Sequence, residues 1–153
     1  ERFVHNFYRH EQDDYRVERP QVTWDFDDPV PEDTRQRFPD MQTDIVLEPT
    51  AQASADRALL IDTKFYGDTL QAHHGRQSYH SENLYQLFAY LKNTEAKGDP
   101  YTHADGLLLY PTTAHEIDDA ATIQGHQIRV CTINLAQDWS AIRRDLLRLT
   151  DGG

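Results

Sequence analysis

Cysteine is nearly absent from this sequence: Cys131 is the one thiol in 153 residues. That excludes an internal disulfide framework and a cysteine-based zinc site, and it makes a reducing cytoplasm the default compartment. No apolar run approaches the roughly 20 residues that a membrane-crossing helix needs, and no stretch has the pattern of a signal peptide, so the reading includes no membrane. Basic residues are scarce as well. Lys and Arg number 15 against 26 Asp and Glu, giving a net charge of −11. Such a chain does not capture nucleic acid by bulk attraction, because phosphate binding rests on Lys and Arg neutralising the backbone. Any DNA-directed role has to overcome this repulsion locally. An initiator methionine is also missing. The sequence opens on Glu1 inside a helix-like pattern, so residues 1–153 are expected to be one domain forming the C-terminal part of a longer chain.

What is present is ordinary for a soluble globular domain, with 38% hydrophobic and 27% charged residues. The spacing of Phe3, Val4, Phe7 and Tyr8 predicts an amphipathic helix across ERFVHNFYRHE. Alternation of Val22, Trp24 and Phe26 predicts a strand in PQVTWDF, and the prolines and charges of DDPVPEDTRQRFPD mark a loop. MQTDIVLEP is expected to be a strand closed by Pro49, with ALLIDTKFY as its antiparallel partner across the small, polar connection TAQASAD. GDTLQAHHGRQSYH has no clean periodicity and is assigned to a loop. SENLYQLFAYLKNTEAKG predicts a helix capped by Ser81 and stopped by Gly98, with Leu84, Leu87, Phe88 and Leu91 as its buried stripe. GLLLYP predicts a short central strand, ATIQ and QIRVCTINL a hairpin around Gly125 and His126, and the last helix starts near Asp138 with Trp139, Ile142, Leu146 and Leu149 on one face. The order is helix, three strands, helix, then strands and a closing helix.

The strand ALLIDTKFY does not suit a plain core. Side chains two apart on a strand share a face, so Asp62 and Lys64 project together. With MQTDIVLE as the antiparallel neighbour, Asp44 lies beside Asp62, and two adjacent carboxylates repel unless a cation sits between them. A divalent metal removes that conflict: Mg²⁺ is held by one or two carboxylates with water and substrate phosphate. Lys64 would then orient or deprotonate a water and stabilise charge on phosphorus oxygens, as in metal-assisted phosphodiester hydrolysis. Taken alone, Asp-x-Lys is better explained as an ion pair inside the fold or along an edge strand. The added weight comes from Asp44 upstream at hairpin spacing and from Gln86 and Tyr90, four apart on the next helix and so on one face, off the leucine stripe. Other residues weigh less. Glu48 shares a face with Asp44 and would reach a second metal through water; the adjacent His73 and His74 point apart on an extended segment. Cys131 suits a small core position, Tyr85 a packing role, and Arg143 and Arg144 a solvated helix face.

Asp44, then Asp62-Thr63-Lys64, then Gln86-x-x-x-Tyr90 resembles the PD-(D/E)xK nuclease superfamily, in particular its RecB-like branch with a Q-x-x-x-Y helix. More specifically, ERFVHNFYRHE, TWDF, MQTDIVLE, LLIDTKFY, SENLYQLFAYL, GLLLYP and GHQIRVCTINL are similar, in sequence and order, to the catalytic domain of McrC-type proteins, the nuclease subunits of 5-methylcytosine-specific restriction systems. That similarity covers nearly the whole chain. It implies an α/β fold with a restriction-endonuclease-like core, a mixed central β-sheet flanked by helices. It also implies Mg²⁺-dependent cleavage of double-stranded DNA, with Mn²⁺ as a substitute, in partnership with a GTP-driven AAA+ motor of McrB type. Asp44 and Asp62 are then metal ligands, with the Thr63 carbonyl as a third oxygen; Lys64 handles the water, and Glu1, from the opening helix, supports the site with Gln86 and Tyr90. In one place the pattern departs: Thr43 stands where the motif has a proline, a residue that carries no metal ligand. Two other readings compete, a nuclease of a different restriction or repair system, and a nuclease fold kept without catalysis to dock on a motor or on DNA.

Overall fold

A computed structural model of the chain describes residues 1–65, 70–73, 76–113 and 115–150. The chain opens with α1 (Arg2–Glu11), β1 (Tyr15–Glu18) and β2 (Gln21–Val22), then a short α2 (Glu32–Arg35), β3 (Met41–Gln42), β4 (Ile45–Pro49) and β5 (Leu59–Thr63). A hairpin of β6 (Leu70–His73) and β7 (Arg76–Tyr79) precedes α3 (Ser81–Thr94), and β8 (Asp105–Pro111), β9 (Asp118–Ile123), β10 (His126–Ile133) and α4 (Trp139–Arg148) follow. No helix among the described residues is long and apolar enough to cross a membrane.

Six strands form one sheet in the order β1-β4-β5-β8-β10-β9. β1 on β4 and β4 on β5 are antiparallel, β5 on β8 and β8 on β10 are parallel, and β9 returns antiparallel on β10. Pairing therefore changes sense at β5 and again at β10; Asp62 lies in β5 and Lys64 follows directly after it. The sheet is central because its middle strand is apolar on both faces. Along β8, Leu108 and Tyr110 join the core under α3, while Leu107 and Leu109 join the core shared with α1 and α4. This is the expected α/β arrangement, a mixed central sheet flanked by helices, consistent with a restriction-endonuclease-like fold.

α3 lies on the sheet through Leu87 and Leu91, both fully buried, each contributing about 1.5–3 kcal/mol relative to exposure. The approach is close because Gly106 in β8 lacks a side chain: a Cβ there would stand 3.0 Å from Leu87 Cδ2 and Leu91 Cδ1. Asn83 ties the first turn of the helix to β8, its Nδ2 donating to the Tyr110 hydroxyl at 2.8 Å. On the opposite face, Val4, Phe7 and Tyr8 of α1 are buried, and the Tyr8 hydroxyl donates to the Leu146 carbonyl of α4 at 2.8 Å. α4 starts where the sequence places it, with the Asp138 carboxylate accepting from Ala141 N. The β9–β10 turn puts Gln124 and Gly125 at φ 50° and 89°, the positive values a two-residue turn of type I′ requires.

Five expectations are corrected. β1 was not foreseen: its outward Arg16 and Glu18 give it the charge of a loop, yet its backbone pairs with β4, and Arg16 faces Glu48 across the strands. The strand expected through Trp24 and Phe26 shrinks to Gln21–Val22, and those rings instead pack edge-on against Phe38. MQTDIVLEP is not one strand but β3 and β4, interrupted at Thr43 and Asp44. The loop expected from Gly67 to His80 holds the β6–β7 hairpin, whose facing residues run from Leu70↔Tyr79 to His73↔Arg76; His74 of the adjacent histidine pair lies outside the described residues. Finally, the buried stripe of α3 is Asn83, Leu87, Tyr90, Leu91 and Thr94, rotated so that Leu84 and Phe88 are half-buried, and His80 rather than Ser81 takes the N-cap position.

Candidate active site

Strand alternation turns Leu60, Asp62 and Lys64 toward α3, since Leu60 lies in the α3-side core and Ile61 in the other. Asp62 is 3% exposed and Lys64 6%. The Lys64 ammonium forms an ion pair with Asp62 Oδ2 at 2.7 Å, and among the described residues no donor meets that buried oxygen with hydrogen-bond geometry. The ammonium also donates to Gln86 Oε1 at 2.8 Å. Gln86 in turn donates from Nε2 to the Tyr90 hydroxyl at 2.5 Å, and Tyr90 donates to the Gln42 carbonyl at 3.0 Å. One polar chain thus runs from the carboxylate of β5 across α3 to the end of β3, using the i, i+4 spacing of Gln86 and Tyr90. Tyr90 does this while its ring is buried, which is why it belongs to the helix stripe after all.

Asp44 reaches the same place from the other side. The β4–β5 register, Ile45↔Ile61 and Val46↔Leu60, brings Asp44 next to Asp62 when continued by one residue. Its Oδ2 accepts from Thr63 N and from Thr63 Oγ1, both at 2.8 Å. Glu1 is not bonded to these residues. It forms an ion pair with Arg19, and its charge acts on Asp62 through space. Burial first, and then the negative charges of Asp44 and Glu1, push Asp62 up to about 6, against the lowering by its contact with Lys64. Tyr90 is likewise raised, chiefly by burial.

Among the described residues no three His, Cys, Asp or Glu side chains converge as a ready-made metal cluster. The donor set present is of another kind: two neighbouring carboxylates, Asp62 in β5 and Asp44 just before β4, the former with a buried oxygen in an ion pair with Lys64. Hard oxygen donors in that small number suit Mg²⁺, which keeps several waters, and do not suit an ion that needs nitrogen or sulfur.

Several weaker candidates are used up elsewhere. Glu48 accepts from the Tyr101 hydroxyl on one oxygen and pairs with Arg16 through the other, so both of its carboxylate oxygens are engaged. Arg143 pairs with Glu11 of α1 at 2.6 Å and Arg144 with Asp145 at 3.3 Å. Cys131 is buried, as a small core residue should be, and burial pushes its thiol up to about 12. Tyr85, expected to pack, is instead 72% exposed on the outer side of α3. The sequence gives no sign of the contacts made by Arg19, Gln42 and Thr43. No periodicity or spacing marks them, because each acts through backbone carbonyls or a partner far away in the chain.

No protein-family model matches the sequence. The chain is 30% identical, over 151 residues and 99% of its length, to the type IV methyl-directed restriction enzyme EcoKMcrBC of Escherichia coli (strain K12). It spans 41% of the length of that protein. Over nearly its whole length, then, the chain is similar to a part of that type IV methyl-directed restriction enzyme.

Proposed function

We propose that this chain is a Mg²⁺-dependent DNA endonuclease of the PD-(D/E)xK class, with the Q-x-x-x-Y helix of the RecB-like branch, acting in the cytoplasm within a McrBC-type modification-dependent restriction system. The observation that carries the reading is the connected set Asp62, Lys64, Gln86 and Tyr90, with Asp44 fixed one strand away. An ion pair kept only for stability would not need a helix glutamine on its lysine or a second carboxylate beside its aspartate. Mg²⁺ would be held by Asp44 and Asp62, with the Thr63 carbonyl and Glu1 as further oxygens, and it would supply Lewis-acid charge at the scissile phosphate.

The chain's own residues do the remaining work. Asp62 is predominantly a carboxylate near neutral pH and lowers the cost of a cation beside it. Lys64 Nζ, held between Asp62 and Gln86, is placed to orient a water against the phosphorus and to neutralise charge building on its oxygens. Gln86 and Tyr90 keep that ammonium from swinging away, because the Tyr90 hydroxyl is itself anchored on the Gln42 carbonyl. The net charge of −11 favours a partner that supplies the grip on DNA, here a GTP-driven AAA+ motor of McrB type. The test is cleavage of duplex DNA in Mg²⁺ or Mn²⁺ against chelator, with and without such a motor. Metal-dependent cleavage with the motor supports the proposal; none under any of these conditions, from a folded chain, refutes it.

A further inference from the structure

Resting on that metal site, we infer that Thr43 is a positioning residue for Asp44, acting through the Pro20 carbonyl. The expected strand MQTDIVLEP breaks at Thr43 and Asp44, and a broken strand no longer fixes where the next side chain points. Thr43 sits at the break, 1% exposed. Its Oγ1 donates to the Pro20 carbonyl at 2.9 Å, and its N–H donates to the same oxygen at 3.4 Å. A buried hydroxyl spent on a carbonyl 23 residues away in sequence is a clasp between two chain segments.

The neighbours of the clasp reinforce it. Gln42 Nε2 donates to the Arg19 carbonyl at 2.9 Å, and the Gln42 carbonyl receives the Tyr90 hydroxyl. The Arg19 side chain pairs with Glu1, so the Arg19–Pro20 segment touches the approaches to both Glu1 and Asp44. Asp44 is thereby held at two ends: its backbone by Thr43 on Pro20, its carboxylate by Thr63 N and Oγ1. Thr43 also stands where the resembled motif has proline. A proline fixes the backbone by its ring; here a hydrogen bond does so.

The test uses Mn²⁺ alone as the probe, with calorimetric titration of the metal-free chain and a urea unfolding curve for each variant. Thr43→Val keeps the shape and removes the hydroxyl; its Mn²⁺ affinity is expected to fall by about tenfold, the low end for partners that orient a metal ligand, while Thr43→Ser stays within about twofold of the unaltered chain. Val22→Ala serves as control, because Val22 is buried in the same β2–β3 ladder, opposite Met41, and its apolar side chain takes no part in the clasp's hydrogen bonds. It is expected to lower stability and leave affinity unchanged. Thr43→Ala makes the same comparison if the valine variant does not fold. Unchanged affinity in the hydroxyl-free variant, or an equal loss in Val22→Ala, would overturn the inference and leave the metal site standing. A wild-type chain that binds no Mn²⁺ would overturn the site reading and this inference with it.

Discussion

Asp62→Asn should change how stability depends on pH, and the size follows from the burial of one carboxyl group. The folded chain raises Asp62 from 3.8 to about 6, with burial as the leading cause. The folded state therefore binds this proton more tightly than the unfolded state does. The stability linked to it is fully present below about 3.8 and is lost as pH rises through about 6. At about 1.4 kcal/mol per pH unit, the interval amounts to about 3 kcal/mol. Asparagine has no such proton. The variant also leaves Lys64 without its counter-ion, which lowers stability by an amount that does not vary over this range while the ammonium stays charged. The informative quantity is thus the variant's stability minus that of the wild type, measured by urea unfolding in metal-free buffer from pH 4 to pH 7. It should rise by about 2–2.5 kcal/mol across the range, the remainder of the interval falling below pH 4. Other perturbed carboxyls, such as Asp105, are common to both proteins and cancel. Parallel pH profiles would refute the claim that Asp62 is held at a cost.

Leu87→Ala should destabilise the chain by about 2–5 kcal/mol, because that side chain is fully buried against Gly106. Gln86→Ala, which removes an exposed side chain holding Lys64, should cost about 1 kcal/mol or less while strongly reducing cleavage; equal unfolding midpoints for the two would contradict the helix orientation. Mn²⁺ affinity should fall by about tenfold per pH unit below about 6 and level off above it, since binding must displace the Asp62 proton; a flat calorimetric profile would exclude Asp62 as a ligand. The chain alone should bind duplex DNA weakly at near-physiological salt, as read by fluorescence anisotropy, and tight binding would place the grip in this chain instead of a motor.

The parts of the molecule legible in the sequence are those whose signal is local. GLLLYP reads as a central strand because both of its faces are apolar, and Gly125 marks the β9–β10 turn, which the structure places at Gln124-Gly125 and not at the expected Gly125 and His126, His126 being the first residue of β10. Asp62 and Lys64 could be placed on one face because strand alternation has a fixed period, and Gln86 with Tyr90 because helix spacing does. The misses share a different cause. β1 carries its hydrogen bonds in the backbone and its charges outside, so Arg16 and Glu18 hide it. The break at Thr43 depends on the Pro20 carbonyl, a tertiary contact with no pattern. Spacing puts Tyr90 with Gln86 off the leucine stripe, yet its ring packs while its hydroxyl bonds, an ambiguity that any amphipathic side chain presents.

Under the proposed function, Lys64 acts on the reaction and the aspartates on the metal. This division is tested most directly by Lys64→Ala, comparing single-turnover cleavage of duplex DNA with the motor present against Mn²⁺ affinity of the same variant. Loss of cleavage with metal affinity retained is the predicted result, and cleavage at the wild-type rate would contradict the account.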